Sequence, residues 1–153
     1  MERVALHAGN AAAKRPRRQT PSVAVDTKRM PAKKIMRLIF ERDGWRCRYC
    51  GCAVIAKEAR NVFRERFPGE ARKGNTNEDN HFGLATLSAT LDHVLPFKRG
   101  GDNDHSNLVT ACGPCQFGRG QFLLEEVQLQ DPRLRPPAQG NWDGLMRLYR
   151  APR

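Results

Sequence analysis

The chain has 153 residues, 39% of them hydrophobic, and 27 Lys and Arg against 16 Asp and Glu, a formal net charge of +11. This supports one modest domain with a small core plus a tail, and so positive a field attracts polyanions, nucleic acid first among them. The N-terminal tail has no apolar run long enough for a signal peptide or membrane span, so the expected location is the compartment of synthesis: cytoplasmic in a bacterial or phage-like setting, nuclear in a eukaryote.

Residues 1–34 hold nine Lys and Arg against Glu2 and Asp26, a net +7, with Pro16, Pro21 and Pro31 and no helical or strand period. They read as a disordered basic arm, in which "KRPRR" is a weak match to a nuclear localisation signal. "AKKIMRLIFERDGWRC" then sets Ile35, Leu38 and Ile39 at helical spacing and ends at Asp43-Gly44. This predicts a short helix and a turn that deliver Cys47. "YCGC" is a tight knuckle, with Gly51 relieving the backbone. Residues 53–67 carry Ile55, Ala59, Val62, Phe63 and Phe67 roughly on one face, predicting a helix stopped by Pro68-Gly69.

Residues 69–82 are polar and aperiodic, a long loop. "LATLSATLDHVL" alternates as a strand does, and Pro96 ends it. "KRGGDNDHSN" reads as a turn and "LVTAC" as the returning strand, while "QFGRGQFLLEEVQLQ" is expected to become helical once past its glycines. Beyond Pro132 the chain is Pro-rich. Trp142, Leu145, Met146 and Tyr149, at i, i+3, i+4 and i+7, then predict a short amphipathic helix docked on the body.

Five cysteines in a chain expected to stay unexported argue against a disulfide framework. Cys47 and Cys50 form one C-x-x-C pair, Cys112 and Cys115 another, and Cys52 is left over. Two sulfurs from one turn can grip a tetrahedral zinc, and two such turns complete a closed site. With no open position, a Zn²⁺ held there would be structural, a staple for a small core.

Asp92 and His93 adjoin at the end of the predicted strand. A carboxylate binds a hard divalent cation, and a neutral imidazole accepts a proton from water. Phosphodiester hydrolysis needs both functions. Neighbours on a regular strand point to opposite faces, so the two serve one site only where the strand is bulged or ending. Taken alone, the pair reads as an ordinary surface hydrogen bond. Lys98 and Arg99 in the turn, and Arg119 between two glycines near a helix start, are candidate phosphate contacts. His7, His81 and His105 read as polar loop residues.

The string "IFERDGWRCRYCG", followed by "LDHVLPFKRGGDNDHSNLVTACGPC", resembles the HNH endonuclease family over residues 39–51 and about 86–120. The resemblance implies an α+β fold: a small ββα-metal domain stapled by zinc at Cys47, Cys50, Cys112 and Cys115. It implies His93 as general base and Asp92 as a ligand of a catalytic Mg²⁺ or Mn²⁺, with DNA as substrate. Asn107 matches the residue that orders the turn and holds the base. Gln116 stands where the family usually has His or Asn. It keeps an amide oxygen but carries it one methylene further out than Asn would, which makes it the second candidate metal ligand.

The expected organisation is a basic arm over 1–34, a nuclease domain over 35–130 with an insertion at about 53–85, and a Pro-rich linker with a short helix over 131–153. No membrane partner is expected, and oligomeric state is not legible. Two other readings stay open at this level. One is a noncatalytic zinc-finger DNA-binding protein with a lapsed metal site at Gln116. The other is a zinc-stabilised module whose arm binds RNA or acidic partners.

Overall fold

The computed structural model describes residues 30–76, 78–138 and 140–150. Most of the expected basic arm, with "KRPRR" and His7, lies outside these. Its last two residues are not arm at all, because α1 (Lys33–Arg42) begins with them. This helix buries Ile39 and Phe40 and ends at Asp43, whose N–H bonds to the Ile39 carbonyl at 3.0 Å, while the Gly44 N–H donates to the Glu41 carbonyl at 3.1 Å. The chain then turns into the predicted knuckle. The Cys47 N–H donates to the Cys52 carbonyl at 2.9 Å, and Arg46 pairs with Ala53.

α2 (Lys57–Arg66) starts four residues later than the apolar spacing predicts. Ala53 and Ile55 are drawn into bridges with Arg46 and Ser88 instead. The larger departure is α3 (Phe82–Thr86), which takes the first three residues of the expected strand, 84–86. Local side-chain bonds decide it: the Leu84 N–H donates to His81 Nδ1 at 3.2 Å, and Ser88 Oγ donates to the Leu84 carbonyl at 2.9 Å. His81, expected to be a plain loop residue, is thus a helix cap.

The strand that remains is β1 (Thr90–His93). It pairs antiparallel with β2 (Leu108–Ala111), from Thr90↔Ala111 to His93↔Leu108. α4 (Gly113–Arg119) follows at once, running through the glycines rather than after them. Pro114 in its first turn loses no hydrogen bond there. Past Arg119 the expected helix is only a 3₁₀ turn, Glu125–Val127. The Phe122 carbonyl accepts from the Arg119 guanidinium at 2.9 Å.

The result is a small α+β fold whose two-stranded sheet packs between α1 and α4. Its core gathers Ile39, Phe40, Trp45, Val54, Leu91 and Leu108. The C-terminal segment closes it. Trp142 Nε1 donates to the Val54 carbonyl at 2.8 Å, Met146 is buried, and α5 (Met146–Arg150) packs on α2. A side chain at Gly144 would collide with the Trp45 indole, and its φ is 67°. Of the predicted stripe, Trp142, Leu145 and Met146 dock, whereas Tyr149 stays 53% exposed. Among the described residues no helix is long and apolar enough to cross a membrane.

Candidate functional site

The knuckle and the start of α4 bring four cysteines together. The sulfurs of Cys47, Cys50, Cys112 and Cys115 all lie within 4.8 Å of one another, with Cys50 and Cys112 at 3.8 Å. Burial pushes the Cys47 and Cys115 thiols above their ordinary values. Cys50 behaves differently. Its own desolvation is outweighed by hydrogen bonds from the Cys52 backbone and the neighbouring thiols, which hold it at about 7. Four soft donors in a closed group fit a structural zinc, which would hold all four as thiolates. Cys52 is not one of the four, and burial pushes its thiol above its ordinary value.

Across the sheet, Asp92, His93 and Gln116 line one cleft of about 150 Å³, walled by Met30, Phe97 and Phe117. The strand is not bulged. It ends at His93, and both side chains reach the same space from that end.

Asp92 is 6% exposed, so its charge requires compensation. Its Oδ2 accepts from Tyr49 Oη at 2.7 Å, Arg119 Nη2 at 2.8 Å and Arg119 Nε at 3.1 Å. Arg119 gives its remaining N–H groups to the carbonyls of His93, Val94 and Phe122. Every donor of the guanidinium is engaged, and it lies 5.8 Å from the Tyr49 ring centre. Burial and the Asp92 charge beside it push the Tyr49 hydroxyl well above its ordinary pKa.

His93, also 6% exposed, has its ring edge-on to Phe97, and its Nε2 lies 2.9 Å from Asn103 Oδ1. Gln116 Nε2 donates to the Leu91 carbonyl at 2.7 Å. Each of the three side chains therefore has one polar atom held by the protein. The other atom of each (Asp92 Oδ1, His93 Nδ1, Gln116 Oε1) has no protein partner among the described residues. Among the described residues the fully buried unpaired side-chain atoms are Nε of Arg48, Arg60 and Arg64, and the three open atoms of Asp92, His93 and Gln116 are not among them. They are open to the cleft.

Asn107 is buried under the turn that follows β1. Its amide accepts from the Leu95 N–H at 2.8 Å and donates to the carbonyls of Leu95 and Asp102 at 3.1 and 3.0 Å. Gly101 is required beside it, since a Cβ there would overlap the Leu95 carbonyl. Lys98 and Arg99 are exposed on the same turn, with Arg99 paired to Glu126 at 2.8 Å. His105 is exposed, and its carbonyl accepts from Arg42.

Arg119 is placed otherwise than expected. Its side chain is 1% exposed and faces Asp92, not solvent, so it is no phosphate contact in this structure. Sequence reasoning missed Tyr49 and Asn103 as partners of Asp92 and His93. They sit 43 and 10 residues away, and nothing in their local pattern announces the pairing.

The family model described as HNH endonuclease matches residues 73–116, a stretch that contains Asp92, His93, Asn107, Cys112, Cys115 and Gln116. No curated protein and no solved structure matches the chain. An HNH domain points to a nuclease acting on nucleic acid, and the four-cysteine cluster fits zinc.

Proposed function

We propose that the chain is a zinc-stapled, metal-dependent endonuclease that hydrolyses DNA phosphodiester bonds at the cleft of Asp92, His93 and Gln116. The observation that carries this reading is the anchoring of these three side chains, each with a single atom open to one space. His93 Nδ1 accepts the proton of the attacking water, with Asn107 holding the turn behind it. Asp92 Oδ1 and Gln116 Oε1 are hard oxygen donors of the kind Mg²⁺ and Mn²⁺ take, so the residues present fit such a cation. When bound, the metal would neutralise the charge that builds up on the phosphate oxygens. Lys98 is an exposed cation beside the cleft for flanking phosphates, and the basic segment before α1, net +5 over residues 1–29, adds affinity independent of sequence.

A second reading is a DNA-binding zinc protein without catalysis. It is favoured by the Arg119–Asp92 pair, which already compensates the carboxylate that a cation would use. Plasmid cutting separates the two. Wild type should nick or linearise supercoiled plasmid with Mg²⁺ or Mn²⁺ and not with EDTA, while His93→Ala should bind DNA equally and not cut. A wild type inert in both metals would leave the second reading.

A further inference from the structure

We propose that Asn103 is a positioning residue that locks His93 in the tautomer protonated on Nε2, so that Nδ1 is the nitrogen presented to the cleft. This rests on the reading of His93 as general base. A neutral imidazole has one donor nitrogen and one acceptor nitrogen, and its hydrogen-bond partners decide which is which. Oδ1 of an amide only accepts. At 2.9 Å from Nε2 it therefore requires the proton there. Nδ1 is left with its lone pair and no protein partner among the described residues. The opposite tautomer would set two lone pairs against each other at Asn103 and turn an N–H toward the water, which could then accept no proton from it.

The turn is built to hold Asn103 in place. On one side the Asp102 carbonyl accepts from Asn107 Nδ2 at 3.0 Å. On the other, Asp104 Oδ1 accepts from the Ser106 N–H at 2.8 Å and the Ser106 hydroxyl at 2.6 Å. Phe97, edge-on at 5.7 Å between ring centres, limits how far the imidazole can swing. Asn107 thus shapes the turn, and Asn103 uses that shape to orient the base. The logic is that of a fixed acceptor orienting a catalytic imidazole, with a neutral amide in the carboxylate's place.

The test is ¹⁵N NMR of the zinc-loaded full chain labelled at histidine, at a pH where the ring is neutral. The His93 signals are assigned by comparison with His93→Ala. Wild type should show one tautomer, with the proton on Nε2. Asn103→Leu, similar in size but without the acceptor, should show a mixture, and Asn103→Asp, which keeps an acceptor oxygen, should restore the single form. In plasmid cutting, Asn103→Leu should lower kcat by about 10- to 100-fold with KM little changed, the size usual for losing an orienting partner. Asn103→Asp should recover most of that loss.

A wild-type ring protonated on Nδ1, or mixed, overturns the proposal without any variant. So does an Asn103→Leu ring that keeps the wild-type tautomer. If wild type does not cut at all, the nuclease reading falls, and the NMR measurement alone decides whether Asn103 sets the tautomer.

Discussion

Replacing Arg119 by Met removes a guanidinium whose five donors are all engaged and leaves a flexible apolar chain of similar length. The partner, Asp92, is 8% exposed at its side chain and keeps only the Tyr49 hydroxyl on its paired oxygen. Breaking one side of a buried pair costs about 3–5 kcal/mol, because the other charge is stranded out of water. Against a domain stability of about 5–15 kcal/mol this is a large fraction. For a chain of this size it corresponds to a fall in Tm of about 6–20 °C. Thermal unfolding followed by circular dichroism, with zinc concentration and pH held constant, reads it directly. Adding Asp92→Asn removes the stranded charge, so the double variant should lose at least about 1 kcal/mol less than the two single losses combined. If Arg119→Met melts within about 2 °C of wild type, a loss of under about 1 kcal/mol, the guanidinium is in solvent. In that case the phosphate contact suggested by its flanking glycines is the better account.

Purified protein should carry one zinc per chain by metal analysis, with Cys112→Ser losing both the metal and cooperative unfolding; Cys52→Ser should keep both, since Cys52 lies outside the four. The Tyr49 hydroxyl is held above its ordinary value of 10.0 in the folded state, so its contribution is complete below that pH and is lost as pH rises and the unfolded chain ionises. Tm should therefore fall more steeply above about pH 10 in wild type than in Tyr49→Phe, and equal slopes would place the hydroxyl in water. Deleting residues 1–29, which leaves α1 whole, should weaken DNA binding for all sequences alike and flatten the slope of log affinity against log salt; an unchanged slope would show that the arm does not touch phosphate.

The features legible in the sequence are those whose physics is local. A C-x-x-C pair holds its two sulfurs within one turn whatever surrounds it, so the four-cysteine group could be read from two short strings. The helix ending at Asp43-Gly44, the tight turn at Gly100-Gly101 and the returning strand from Leu108 likewise follow from residues within a few positions of one another. Where such local preferences compete, the sequence misleads. The apolar pattern before Thr90 suits a strand as well as a short helix, and the His81 and Ser88 bonds around Leu84 tip it to the helix.

Tertiary structure alone decided which groups face which. Arg119 lies 27 residues from Asp92 and reads as a surface cation, until α4 runs through its glycines and carries it under β1. Tyr49 meets the same carboxylate because the knuckle packs against β2, where the Arg48 N–H donates to the Thr110 carbonyl at 2.8 Å. Asp92 is buried in the structure, and a carboxylate out of water must be compensated. Which donors compensate it depends on the whole packing, since a buried charge takes the partners that the folded backbone brings within about 3 Å.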